Sequence, residues 1–278
     1  MLLSAGAYGS VYKESFAGEL VAVKYVNLRD ENKVRAFNNE ALICQRTRNF
    51  EYCVQAKKSY IKDGKGCLVM ELGERSLFEI VNDISLQELE AACLFRSICI
   101  AVKELHDNRI AHLDLKLENI LLTKKHKKQM KLKLCDFGCA TTYEGIDKIH
   151  YPDFKVGAPI YSAPELENRL PFSPSQADCW SLGVILFILL VGGFPMSKPA
   201  LYLSPDNISL SGLEYCSKEG RDLVTSLLNF NASERLTIDE ILAHPWLCYG
   251  SECTLNSIIS PSVSQKVKKA LCTIKRRM

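Results

Sequence analysis

Apolar and polar positions change their period along this chain between residues 72 and 77. Before that point the pattern is mostly that of strands. Residues 1–26 read as short strands, with Val21-Ala22-Val23-Lys24 alternating, and 59–72 read as another pair folded around the turn Asp63-Gly64-Lys65-Gly66. The segment 33–48 breaks this rhythm. Val34, Phe37, Ala41 and Cys44 recur there at helical spacing as a core-facing stripe. From Leu77 onward the helical period dominates. Leu89, Ala92, Cys93, Phe95, Ile98, Cys99 and Val102 mark one long helix within Ser85–Asp107, and further helices are predicted at 176–191, 217–229 and 237–243. The run Val184–Val191 is strongly apolar, yet far shorter than the roughly 20 residues needed to span a bilayer, so it predicts a buried helix and no transmembrane segment. The expected class is α+β: a small sheet-rich lobe with one helix, and a larger, mostly helical lobe, meeting near Met70–Gly73.

Composition narrows this picture. A chain of 278 residues with 47% hydrophobic content can bury a sizeable core. The net charge of +3 is mild and gives no reason to expect nucleic acid as a main partner. Twelve cysteines are many, but no two stand in a C-x-x-C pair and no signal-peptide pattern opens the chain. Free thiols in a reducing, cytoplasmic compartment are therefore expected rather than disulfides or zinc.

Candidate chemistry concentrates in two stretches. Residues 112–119 read His-Leu-Asp-Leu-Lys-Leu-Glu-Asn, and Asp136-Phe137-Gly138 follows. Taken singly, such polar residues are ordinary turn formers. In this order they match the pattern H-R-D-L-x-x-x-N followed by D-F-G, except that Leu113 stands where arginine is usual. The chain resembles the eukaryotic protein kinase family, of the serine/threonine type, and the resemblance implies that family's bilobal fold. It implies Asp114 as the residue that takes the substrate hydroxyl's proton, Lys116 as a charge stabiliser on the moving phosphoryl group, and Asn119 and Asp136 as Mg²⁺ ligands, with ATP as donor. Transfer of a γ-phosphoryl group demands positioning and charge neutralisation, which is why acceptors, hard oxygen ligands and one cation suffice.

The same resemblance extends in both directions. Ser4-Ala5-Gly6-Ala7-Tyr8-Gly9-Ser10-Val11 resembles the glycine-rich loop over the ATP phosphates, with Gly6 and Gly9 present and Ser4 in place of the first glycine. Lys24 matches the lysine that pairs with the α- and β-phosphates. Glu40, which flanks the helical stripe, is its expected partner, whereas Glu31 favours the positive end of the helix dipole. In the family the connector is the hinge that contacts adenine. It implies Met70 as gatekeeper, the backbone of Glu71 and Leu72 as base partners, and Val11, Ala22 and Leu121 as the ring's sandwich, although each also reads as ordinary core. Further on, Ala163-Pro164-Glu165, Asp178-Cys179-Trp180-Ser181-Leu182-Gly183 and Arg235 complete the family pattern, with Arg235 expected on Glu165 and Asp178 on the backbone near His112. Residues 1–72 form the expected N-terminal lobe, its start truncated; 73–247 form the C-terminal lobe, and 248–278 a basic tail.

Departures from the pattern shape the functional expectation. Ala158 stands where the family usually has threonine, so Asp114 and Lys116 are expected to be looser. Leu113 cannot pair with a phosphorylated activation-loop residue, and 144–160 contain no Ser or Thr and only Tyr151 as a hydroxyl, so activity is expected without activation-loop phosphorylation. Lys116 and the segment 157–161 resemble serine/threonine rather than tyrosine kinases. Ser76-Leu77-Phe78 and Gly183-Val184-Ile185-Leu186 resemble most the calcium/calmodulin-dependent branch. Lys124, Lys125, Lys127, Lys128 and Lys131 read as a solvated hairpin, with an anionic partner or nuclear import as the lesser reading. In the tail, Val263, Val267, Leu271 and Ile274 form a helical stripe among basic residues. That stripe suits packing on the large lobe, calmodulin or an anionic membrane surface. Cys135 reads as a small buried hydrophobe at the back of the nucleotide pocket. The competing function is a nucleotide-binding pseudokinase acting as a scaffold, supported by Ser4, Leu113 and Ala158. The presence of Lys24, Glu40, Asp114, Lys116, Asn119 and Asp136 opposes it.

Overall fold

The computed structural model describes residues 1–6, 9–125, 129–144, 157–167, 171–196 and 208–248, with 255 and 258. The sheet of the first lobe contains β1 (Leu2–Gly6), β2 (Gly9–Phe16), β3 (Glu19–Asn27), β4 (Ala56–Lys62) and β5 (Lys65–Glu71), all antiparallel, in the order β1-β2-β3-β5-β4. Two-residue turns set its register. Ala17-Gly18 and Asp63-Gly64 all have positive φ, which matches the right-handed twist of the strands they join. Helix α1 (Glu31–Arg46) lies between β3 and β4. Asp30 caps it by accepting a hydrogen bond of 2.9 Å from the Lys33 amide, and Phe37, Glu40, Ile43 and Cys44 are its buried face.

The second lobe is largely helical. Its helices are α2 (Leu77–Asp83), α3 (Glu88–Asp107), α4 (Pro164–Glu167), α5 (Pro174–Val191), α6 (Lys218–Leu227), α7 (Ile238–Ala243) and α8 (Pro245–Cys248). Capping boxes start α2 at Ser76/Glu79 and α7 at Thr237/Glu240, each satisfying two amides that no helix bond can reach. Helix α5 starts with Pro174 and stops at Gly192, whose φ is 84°. By length and composition it could cross a membrane, but 78% of it is buried inside the fold, as the core helix.

Short strands carry the connecting segments between the helices. β6 (Arg75–Ser76), β8 (Ile120–Lys125) and β9 (Gln129–Leu134) form one sheet, and β7 (Ile110–Ala111) pairs with β10 (Thr141–Thr142). The expected lysine hairpin is the β8–β9 pair. One hydrophobic cluster runs through both lobes, from Val26, Phe37 and Leu68 through Phe137 to Trp180 and Trp246. A smaller cluster of Val21, Val23 and Val69 sits apart from it within the first sheet.

A second connection joins the lobes besides residues 72–74. The Leu134 amide donates to the Tyr52 carbonyl at 2.7 Å, and the Val54 amide donates to the Leu134 carbonyl at 2.8 Å. The Glu104 carboxylate on α3 accepts from the amides of Glu51 and Tyr52 at 2.7 and 2.9 Å. The chain leaving α1 is thereby fastened to the large lobe.

Candidate active site

Strand β3, helix α1 and the segment after β9 bring a cation and two carboxylates together. Lys24 Nζ donates to Glu40 Oε1 at 2.7 Å and to Asp136 Oδ1 at 2.7 Å. Burial alone would push the lysine pKa down, but the pull of Glu40 and Asp136 outweighs it and raises it above the ordinary lysine range. Burial raises the Glu40 carboxyl, against the pull of Lys24. Asp136 resists burial because Lys24 and Lys116 stabilise its anion, and its pKa is lowered. Asp136 adopts the left-handed region, φ 65° and ψ 72°, a costly conformation for a non-glycine residue that the surrounding bonds hold in place. Glu31 occupies the first turn of α1, away from this group.

The candidate catalytic-loop residues gather around a third carboxylate. Asp114, 4% exposed, accepts from Lys116 Nζ at 2.6 Å and from Asn119 Nδ2 at 3.0 Å, both on Oδ2, and from the Ala158 amide at 2.8 Å on Oδ1. The main-chain amide of residue 158 thus reaches Asp114 without any side-chain hydroxyl. Gly157 makes that approach possible. Its φ is 75°, and a Cβ there would lie 2.7 Å from the Leu113 carbonyl oxygen. Lys116 also has a raised pKa, since burial, which opposes its charge, is outweighed by Asp114.

Asp178 on α5 fixes the loop from below. Fully buried, it accepts from the amides of His112 and Leu113, each at 2.8 Å, and from His106 Nε2 at 2.9 Å. His112 in turn donates from Nε2 to the Cys135 carbonyl at 3.0 Å, and its Nδ1 accepts from the Asp114 amide at 3.3 Å. The Cys135 amide donates to the Asn119 carbonyl at 3.0 Å, which ties the residue next to Asp136 to the loop. Cys135, expected as a buried hydrophobe, is only half-buried, and burial pushes its thiol pKa upward, away from a reactive thiolate. Arg235 meets Glu165 through two bonds of 2.8 and 3.1 Å, and its guanidinium lies 5.2 Å from the Trp180 ring centre.

Two oxygen donors are available to a divalent ion. Asn119 uses its Nδ2 on the Asp114 carbonyl and carboxylate, so its Oδ1 is the amide's ligand atom. Asp136 commits Oδ1 to Lys24 while its side chain keeps 30% exposure. Among the described residues no group of three or more His, Cys, Asp or Glu side chains gathers as a metal cage. This donor set fits Mg²⁺, which binds through one or two protein oxygens and completes its shell with phosphates and water.

The expected adenine-side residues fall on one face of the first sheet. Val11 pairs with Lys24, and Ala22 with Met70, across neighbouring strands, so these side chains point the same way. Leu121 comes from β8, its side chain lying against Gly73. Of the two residues expected to pair with a base, Glu71 has its amide engaged: it donates to the Gln55 carbonyl at 2.9 Å, while the Gln55 amide donates back to Glu71 Oε1 at 2.8 Å. A base against Glu71 can use the carbonyl and not the amide. Leu72 lies just beyond the end of β5. Ser4 pairs with Val11 and Gly6 with Gly9 in the β1–β2 hairpin. Gly9 is required sterically, at φ 131° with its Cβ position 2.3 Å from the Tyr25 carbonyl oxygen. A cavity of about 690 Å³ lies between the β1–β3 strands and α1, bounded by Gly6, Gly9, Tyr25, Phe37, Glu40 and Gly138; it is a separate space that Val11, Ala22, Met70 and Leu121 do not line.

Three ties were not foreseen from sequence: the Ala158 amide, the 52–54 connection, and Asn39, whose Nδ2 donates to the Ala140 carbonyl at 2.8 Å. Tyr151, Lys127, Lys128 and the tail stripe from Val263 to Ile274 lie outside the described residues.

Comparison with known proteins agrees with this geometry. A family model described as the protein kinase domain matches residues 1–247. Human NUAK family SNF1-like kinase 2 is 31% identical over 89% of this chain and 40% of its own length. Serine/threonine-protein kinase SRK2H of Arabidopsis thaliana is 32% identical over 88% of this chain and 69% of its own. Testis-specific serine/threonine-protein kinase 2 of Mus musculus is 32% identical over 88% and 71%. The chain thus spans about two fifths of the NUAK relative's length. With the lysine–glutamate pair, the catalytic loop and the Glu165–Arg235 lock all assembled within the matched span, the chain belongs to the protein kinase domain family, among kinases of the serine/threonine type.

Proposed function

We propose that the chain transfers the γ-phosphoryl group of ATP to serine or threonine hydroxyls of proteins, and does so without phosphorylation of its activation segment. One observation carries the reading: Asp114 is held by three donors while Lys24, Glu40 and Asp136 are assembled beside it. In this reading Asp114 orients the substrate hydroxyl and accepts its proton, and Lys116 neutralises charge building on the phosphoryl oxygens. Lys24 holds the α- and β-phosphates, with Glu40 fixing its direction. Mg²⁺ at Asn119 and Asp136 would draw charge off the β- and γ-phosphate oxygens. Gly6 and Gly9 let main-chain amides approach the phosphates, with Ser4 at the rim. Val11, Ala22 and Leu121 enclose the base, Met70 bounds the pocket behind it, and Glu71 and Leu72 line its edge.

Independence from phosphorylation is supported by Leu113, 7% exposed and at φ 59°, which fills with hydrocarbon the position of a phosphate-binding arginine. The test is Mg²⁺-dependent transfer of labelled phosphate to a Ser/Thr peptide library, comparing the native chain with Asp114→Asn and with Thr141→Ala/Thr142→Ala/Tyr151→Phe. Transfer lost in the first and kept in the second is expected. No transfer by the native chain, with a nucleotide-induced thermal shift intact, would favour the scaffold reading.

A further inference from the structure

We propose that Asn39 is a positioning residue that holds Glu40 on Lys24 by binding the main chain of the activation segment, in the role a phosphate would otherwise play. The inference rests on the reading that no activation-segment phosphate is needed. Asn39 is the neighbour of Glu40 on α1, and its Nδ2 donates to the Ala140 carbonyl at 2.8 Å. Ala140 is 2% exposed, and its own amide donates to the Phe137 carbonyl at 3.1 Å. The carbonyl is therefore fixed by the turn that carries Asp136.

Beyond Ala140 the chain runs straight into the catalytic loop's support. Thr141 pairs with Ala111 and Thr142 with Ile110, and the Tyr143 amide donates to the Arg109 carbonyl at 3.1 Å. Ala111 precedes His112, whose amide is held by Asp178. One side-chain amide thus links the helix bearing Glu40, the turn bearing Asp136 and the strand leading to Asp114. A hydrogen bond to a fixed main-chain acceptor is directional, so it restricts rotation and withdrawal of α1 as an ion pair to a mobile phosphate would. It needs no modifying enzyme.

The decisive variants are Asn39→Asp, which keeps shape but cannot donate, and Asn39→Gln, which keeps the donor on a longer arm. Unphosphorylated protein is assayed for kcat and for KM of ATP and of peptide, alongside its nucleotide-induced thermal shift. Asn39→Asp is expected to lower kcat/KM for ATP about tenfold and to reduce the nucleotide shift, with KM for peptide unchanged and the unliganded melting temperature within about 2 °C of wild type. Asn39→Gln is expected to recover most of the loss. Equal kinetics and nucleotide response in Asn39→Asp and wild type would overturn the assignment, as would an equal loss in Asn39→Gln. The Thr141/Thr142/Tyr151 variant separates the two ideas: if it is inactive, the phosphate-independent reading fails, and if it is active while Asn39→Asp is unaffected, only the latch fails.

Discussion

At Ala158 a main-chain amide holds the central carboxylate, and this makes a prediction about the missing hydroxyl. Restoring it by Ala158→Thr should change kcat by less than about threefold, because Asp114 already accepts from three donors and a fourth adds one modest hydrogen bond. A rise of tenfold or more in the peptide assay would show that the amide alone leaves Asp114 underheld. The same residue explains what the sequence conceals. Lys24, Asp114 and Asp136 are legible because they stand in short motifs that resemble those of the family, and Glu40 because helical spacing sets it beside the core-facing stripe of α1. The Ala158 amide and the Ala140 carbonyl belong to the main chain, which every residue shares, so no residue type announces them. Asn39 was overlooked for that reason: its partner is a carbonyl 101 positions away.

Helices and longer strands are legible where their period repeats and their ends are capped, as with α1, α3 and the β3–β5 pair. β6, β7 and β10 have two residues each, too few to show a period, and tertiary pairing alone defines them. Two links between elements lead to tests. Arg235 joins α4 through Glu165, α5 through the Gln176 carbonyl, and the turn after α6 through the Asn229 carbonyl. Arg235→Ala should lower unfolding free energy by about 3 to 5 kcal/mol in urea titration, since it strands Glu165 and two carbonyls. A loss under about 1 kcal/mol would contradict the lock.

Glu88 joins α3 to the start of α6 and to α8, accepting from Ser217 and from Trp246 Nε1 at 2.8 Å. Burial opposes its charge, but those donors hold its pKa below 4.5, its ordinary value. A folded-state pKa below the unfolded one gives stability that is present above 4.5 and lost as pH falls through the folded value. Glu88→Gln should therefore melt below wild type at neutral pH, with the gap closing on acidification. A gap that stays constant down to about pH 3 would remove the carboxylate from this role.

For the whole molecule, one apolar cluster crosses the lobe boundary, and the 52–54 segment is bonded to Leu134 and Glu104 of the large lobe. Scanning calorimetry should show the lobes melting in a single transition, although chains of this size often unfold in steps. Two resolved peaks would mean that the shared core does not couple them. The α+β, two-lobed plan was legible from the change of period, whereas the second crossing was not, because residues 51–54 carry neither periodicity nor charge pattern. The Glu71–Gln55 clamp at that boundary has a consequence for inhibitor chemistry. A compound lying along the connector meets an acceptor at Glu71, so scaffolds that present a donor there should outcompete isosteres presenting a lone pair. Discrimination should follow from the repulsion between that lone pair and the carbonyl oxygen, and would be read from matched pairs of heterocycles differing by one N–H.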